Sequence, residues 1–393
     1  MKLLTFKICG LILITSASLF AQTKTVYSKR FSADKKTTAI FNLENTTVSI
    51  QTSTDGEVHF DYILEFDGYS KKDIEEKLKT IKVEATKFEN HITLVSNSVT
   101  QISNVTFAYD APKGLVLDYD GKQILNDSIV RKSKDSIVAE IRYNAFGKIN
   151  APFKYFSDRF KTTDDDGKLE NIPRANVKIL RSQFVIKIPP YLKLKINGKD
   201  AQVTMRDNSI NELSVELKRG YFYAKQLDNK YNLFTIKNAS LRAEVIIGGR
   251  YNLNNISKGL MGSIENATIT SEFSKIEIGE LRRDVKITDY NSEYFFYNWN
   301  ANFDRFDLFS EFSKIHLFYP KDHDFSLKVT GNNTKSIHGK GIEFNLQATD
   351  DDTKFNMLER KTNGEGHFSG AINFDIVRGI IYNYNDTFKP SKN

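Results

Sequence analysis

The chain has 393 residues, 40% of them hydrophobic and 12% aromatic, with 56 basic against 49 acidic side chains. That length can bury a large core without disulfide staples, and a single cysteine can form none within the chain. The formal charge of +7 is thin and dispersed, without a basic block dense enough to hold nucleic acid.

Residues 1–21 read as a secretory signal peptide. Lys2 and Lys7 supply positive charge, Leu11-Ile12-Leu13-Ile14 begins an apolar run too short to span a bilayer, and Ala21 precedes Gln22 as a cleavage site. Cys9 lies inside this segment rather than behind a small-residue box at its end, so no lipid anchor is expected. No other apolar run is long enough for a transmembrane helix. The mature protein is therefore expected to be exported, to the periplasm, the outer surface or beyond.

Residues 22–103 read mostly as strands. Thr38–Leu43, Thr47–Gln51 and Glu57–Leu64 alternate with period two, and Asp55-Gly56 marks a turn. Ser70 to Lys79 is the one convincing helix, with Ser70 as its cap and Asp73 at the capping-box position. Residues 104–183 read as a long, partly irregular insertion. From Phe184 the strands become regular, beginning with Phe184–Ile188 and Leu192–Ile196 and recurring near Leu213, Leu233, Tyr251, Ile269, Ile287 and Leu308. Residues 341–386 supply further strands, with Ala371–Val377 and Gly379–Tyr384 expected to close the end. Residues 387–393 form a tail.

One phrase repeats. Ser271-Glu272-Phe273-Ser274-Lys275-Ile276 recurs as Ser310-Glu311-Phe312-Ser313-Lys314-Ile315, and Ser292-Glu293-Tyr294 lies between them as a partial copy. The offsets of 21 and 18 residues fit stacked coils of about 20 residues. A second register is open, in which Ile269 aligns with Ile287 at an offset of 18. Either register predicts a mostly β fold, a β-solenoid of about seven or eight coils over residues 184–340 with flanking N-terminal strands and one short helix.

With its signal peptide, its Phe41–Ile50 strand pair, its Val185-Ile186-Lys187-Ile188-Pro189 lead-in and the coils that follow, the chain resembles the adhesin-like β-solenoid proteins exported by Gram-negative bacteria. The resemblance covers about residues 37–67 and 184–330. It implies a role in surface interaction and brings no catalytic residues with it. The insertion at 104–183 departs from the family pattern.

Candidate chemistry is sparse. Glu272, Glu293 and Glu311 would form a carboxylate ladder on one face if the repeat sets the register, either as a ligand site or as a solvated face balanced by Lys275 and Lys314, with the solvated face favoured. Tyr294, Tyr297 and Trp299 belong to the densest aromatic cluster and are candidate contacts for sugar rings or a partner, against a reading as core. The acidic runs Asp164–Asp166 and Asp350–Asp352 lack the alternation of a calcium loop, and Asp322-His323-Asp324 has nothing near it to complete a site. No metal site, cofactor motif or nucleophile motif is found. The expected role is a non-enzymatic envelope or surface module whose partners are envelope proteins or glycans. The alternative is a carbohydrate-active β-helix enzyme drawing carboxylates from adjacent coils.

Overall fold

The computed structural model describes residues 21–111, 115–117, 128–132, 137–143, 151–163, 166–300, 303–318, 325–338, 345–347, 350, 354–361 and 370–384. The expected signal peptide and tail lie outside these residues, apart from Ala21. So do Asp164, Asp165, Asp351, Asp352 and Asp322-His323-Asp324. The described chain is mostly β, and none of its helices is long and apolar enough to cross a membrane. It divides into two compact units made of interleaved segments: residues 1–26, 62–80 and 102–183 form one, and residues 27–61, 81–101 and 184–393 the other.

The smaller unit holds the expected helix, Lys71–Lys79. Ser70 Oγ accepts from the Asp73 N–H at 3.1 Å, Asp73 Oδ2 accepts from the Ser70 N–H at 3.3 Å, and Ile74 is the buried residue of its inner face. The 104–183 stretch is more ordered than its sequence predicts. Strand Val105–Ala111 pairs antiparallel with Ile137–Tyr143 on one side and with residues 177–181 on the other. A second helix, Pro152–Ser157, brings Phe156 to 5.1 Å from Phe107 and 4.8 Å from Phe160, in a core shared with Tyr109, Ile172 and Ile179. At six residues it is too short to show helical periodicity, and no side chain caps it, so the expectation of one helix undercounts.

In the larger unit the strands form one large mixed sheet, and no barrel closes among the described residues. Its body is a ladder of parallel rungs. Lys193–Ser209 pairs with Leu213–Asp228, which pairs with Leu233–Ile247. Each later rung is a bent pair of shorter strands: Arg250–Asn254 with Lys258–Glu265, then Thr268–Glu272 with Lys275–Leu281, Val285–Tyr290 with Glu293–Phe296, and Arg305–Glu311 with Lys314–Phe318. Strand alternation puts one residue of each rung into a continuous inner column that includes Ile196, Val215, Phe234, Tyr251, Ile269, Ile287 and Leu308, all buried. Each rung hides its apolar face only by lying on the next.

Chain order and rung order part company at both ends. Thr38–Glu44 lies parallel between Lys193–Ser209 and His91–Ser98, so the early strands are rungs in their own right. Ala371–Val377 and Ile380–Tyr384 do not close the ladder as expected. They slot between Arg305–Phe318 and the strands Phe325–Asn332 and Lys335–His338. The outer border is antiparallel instead: Lys354–Lys361 runs along Phe325–Asn332, and at the other end Ile81–Phe88 runs along His91–Ser98. Covered borders of this kind protect open strand edges from pairing with other chains.

Candidate functional site

Every bent rung turns at one residue in the left-handed backbone region. In rung order these are Asn45, Asp200, Arg219, Asn238, Asn255, Phe273, Asn291, Phe312, Arg378 and Asn333, with φ between 49° and 57°. Asn tolerates this conformation because its short amide satisfies nearby backbone groups, whereas a bulky apolar residue gains nothing from it. Phe273 and Phe312 are therefore exceptions in a column dominated by Asn.

A hydroxyl follows each corner in this region. Ser274 Oγ donates to the Glu272 carbonyl at 2.7 Å and accepts the Ile256 N–H at 3.1 Å. Ser292 Oγ accepts the Ser274 N–H, and Ser313 Oγ accepts the Ser292 N–H, each at 3.0 Å. These bonds satisfy backbone donors that the bend removes from the ladder. Beneath them lies Asp289, buried among hydroxyls. Ser271 Oγ and Ser313 Oγ each donate to its carboxylate at 2.5 Å, Ser310 Oγ is 3.4 Å away, and Tyr294 OH contacts Ser271 at 2.6 Å. The repeated phrase is thereby explained. Its two leading serines flank one aspartate from adjacent rungs, and its second serine seals the corner.

The true register is the 18-residue one. Ser271 pairs with Asp289, which pairs with Ser310; Glu272 pairs with Tyr290, which pairs with Glu311. Glu293 sits on the other side of the corner, between Lys275 and Lys314. The three glutamates do not stack as one ladder. Ser292 matches the corner serines 274 and 313 rather than Ser271, so the two-letter match of Ser292-Glu293 misleads. Like charges stacked on neighbouring strands would also repel, and the observed register alternates them with lysine or tyrosine.

The corner opens as a groove of about 400 Å3, lined by Phe273, Asn291, Phe312, Lys275, Glu293 and Lys314 among others. Phe273 and Phe312 are 51% and 40% exposed. Tyr290, 42% exposed, stands edge-on between them at 5.6 and 5.7 Å. Glu293 Oε2 lies 3.2 Å from Lys275 Nζ, and its Oε1 lies 3.2 Å from His316 Nε2. Burial opposes its charge, but Lys275 and then His316 outweigh that and hold the Glu293 carboxyl below its usual range.

Beyond the corner, a second aromatic set stacks rung upon rung. Phe295, His316 and Tyr382 form one column, with ring centres 4.2 and 4.7 Å apart and planes within 8°. Tyr297, Phe318 and Tyr384 form the other, at 5.0 and 4.6 Å. Tyr384 OH and His316 Nδ1 are 2.9 Å apart. Burial pushes the His316 imidazolium down in pKa despite Glu293.

Of the aromatic candidates, only Tyr297 faces outward. It is 42% exposed, its OH is 3.2 Å from Glu277 Oε2, and burial followed by that carboxylate pushes it up to about 12. Tyr294 and Trp299 are buried. Tyr294 alternates inward, and burial, then Asp289, raises it well above the usual tyrosine range. The strand ends at Phe296, so Trp299 escapes its alternation and turns inward, its Nε1 donating to the Phe318 carbonyl at 3.3 Å and its ring packing on Phe303 and Phe306. Sequence reasoning missed Phe273, Tyr290 and Phe312. The available signal was a comparison down the observed register, where Phe273 follows Asn255 by 18 residues and Phe312 follows Asn291 by 21.

No family model matches the chain, and no curated protein matches it. Among solved structures, a candidate cell adhesion protein from Clostridium sporogenes aligns over 93% of this chain and 100% of its own length, at 9% identity and a TM-score of 0.18. A likeness that slight carries no argument.

Proposed function

We propose that the protein is an exported, non-enzymatic β-solenoid whose corner groove contacts a partner in the envelope or at the cell surface. The observation that carries this reading is the pair Phe273 and Phe312. Each occupies a left-handed corner, with Asn255 and Asn291 on either side of Phe273 and Asn291 and Arg378 on either side of Phe312, a placement costing on the order of 1 kcal/mol for such a residue. Each also leaves its ring exposed. A fold with no use for these rings has no reason to hold them there. With Tyr290 between them and Lys275, Glu293 and Lys314 alongside, the groove offers apolar edges and both signs of charge, chemistry suited to an envelope protein or a glycan. The regular parallel rungs at offsets of 17 to 21 residues support the solenoid.

The test is binding by the full chain to a glycan array and to an envelope-protein fraction, paired with a polysaccharide hydrolysis screen. Wild type should bind, and the double variant Phe273→Asn, Phe312→Asn should lose at least tenfold while keeping its far-UV spectrum. Turnover of a polysaccharide that Glu272→Gln or Glu311→Gln abolished would end the non-enzymatic reading.

A second reading, the carbohydrate-active enzyme, draws on one spot. Asp307 and Asp375, from adjacent rungs, line one open groove of about 390 Å3 with Phe309. Asp307 is already bound by Arg305 at 2.8 Å and Asn373 at 2.9 Å, which leaves it poorly placed to transfer a proton. The same hydrolysis screen run on Asp375→Asn separates the readings.

A further inference from the structure

We infer that Asp55, Glu57 and His59 form a binding site for a divalent transition metal of the Zn2+ and Mn2+ type. The three residues alternate, Asp55-x-Glu57-x-His59, across the turn into strand Glu57–Asp67. Glu57 opens the strand, and the turn before it, with Gly56 at φ 75°, folds Asp55 back toward His59, so the turn gathers them. One ligand atom from each lies within 4.8 Å of the other two, and no other group of three such residues gathers this way among the described residues.

The local hydrogen bonds prepare the donors. Asp55 Oδ1 accepts from Ser53 Oγ at 2.6 Å and from the Glu57 N–H at 3.0 Å, which fixes the carboxylate and leaves Oδ2 facing His59. Supporting contacts of this kind orient ligands in metal centres.

The independent observation is His59. It is 7% exposed, and its Nε2 is buried without a hydrogen-bond partner. Asp55 Oδ2 lies 2.8 Å from that nitrogen, an ion-pair distance, with an alignment outside that of a hydrogen bond. A buried polar atom without a hydrogen bond is costly. Two donors converging at this distance are spaced as ligands around a shared ion, whose bonds of about 2.0–2.2 Å set donors roughly 3 Å apart. One imidazole with two carboxylates favours Zn2+ or Mn2+ over Ca2+, which takes oxygen ligands. Three protein donors leave a coordination position for water or for a group on a partner.

The experiment is isothermal titration of the tag-free full chain with ZnCl2 and MnCl2, and with CaCl2 as the contrast. One equivalent of Zn2+ or Mn2+ should bind, at least tenfold more weakly in Glu57→Gln and not measurably in His59→Gln, while His91→Gln binds as wild type. Because His59 is buried, a folding check by circular dichroism accompanies its variant. Should that variant unfold, Glu57→Gln, partly exposed at the strand start, decides alone. No uptake by wild type, uptake unchanged by Glu57→Gln, or preference for Ca2+ would overturn the site.

Discussion

Two aromatic sets lie on neighbouring faces of the same rungs, and they are built differently. In the outer columns, Phe295, His316 and Tyr382 stack face to face at 4.2 and 4.7 Å, each ring covering the next. At the corner, Phe273, Tyr290 and Phe312 meet edge to face and leave 40–51% of each residue in water. The columns spend their ring surface on one another, which secures rung registry. The corner spends little on the fold and keeps surface free. Composition does not separate the two sets. Backbone does: the column rings sit on extended strand, where alternation and the rung spacing align them, whereas Phe273 and Phe312 sit where the chain bends left-handed.

The sharpest ways to break that comparison begin beneath it. Asp289→Ala removes the acceptor that serves Ser271 and Ser313, and should lower unfolding free energy by about 3 kcal/mol in urea titration. A negligible loss would mean that the buried cluster does not support the corner. His316→Ala deletes the middle ring of a column and should cost about 2 kcal/mol, from two lost stacks and their buried area. Ser292→Ala removes one rung-to-rung acceptor and should cost about 1 kcal/mol. Phe273→Asn should leave stability unchanged or raise it by up to about 1 kcal/mol, since Asn suits the corner. If it instead destabilises as His316→Ala does, the corner rings belong to the fold and the contrast fails.

Acid sharpens the contrast further. His316 is held below its ordinary value of 6.5, chiefly by burial, so the unfolded chain takes up this proton first. Its contribution is complete above that value and is lost as pH falls from about 6.5 toward the lower folded pKa. Glu293, Lys275, Lys314 and Tyr384 surround it. Glu293, itself held below 4.5, loses its contribution in the same direction at lower pH. Melting curves between pH 7.5 and 5.5 should therefore fall for wild type and flatten for His316→Phe. The corner variant Phe273→Asn should follow wild type.

Much of the strand pattern was legible. Alternation at Ile269, Ile287 and Leu308 marks the inner column directly, and Ser70 with Asp73 announces its helix. The register was legible only in part. Ile269 and Ile287 align at 18 and Ile287 and Leu308 at 21, but the surface match Ser292-Glu293 pointed to 21 and then 18, because a corner serine and a strand-end serine look alike in one dimension. The ordered core of residues 104–183 was not legible, since Phe107, Phe156 and Ile179 meet across long loops and leave no local period. Nor was the metal triad. His59 has no second histidine or cysteine nearby, and only the turn at Asp55-Gly56 shows that a carboxylate curls back toward it.

The place of Ala371–Tyr384 has a consequence for how the chain is made. Neighbouring rungs in the body lie 17 to 21 residues apart, so each can settle onto its predecessor as it emerges. The rung of Arg305–Phe318 is different, for its next neighbour lies 66 residues downstream. Phe325–His338 is synthesised earlier, yet its parallel partner is that same late segment. Assembly at this end must wait for residues 371–384, and a chain stopped before residue 371 leaves Phe306, Leu308 and Ile315 bare on an unpaired edge. That segment is a keystone, and a protein shortened before it should aggregate rather than merely lose two strands.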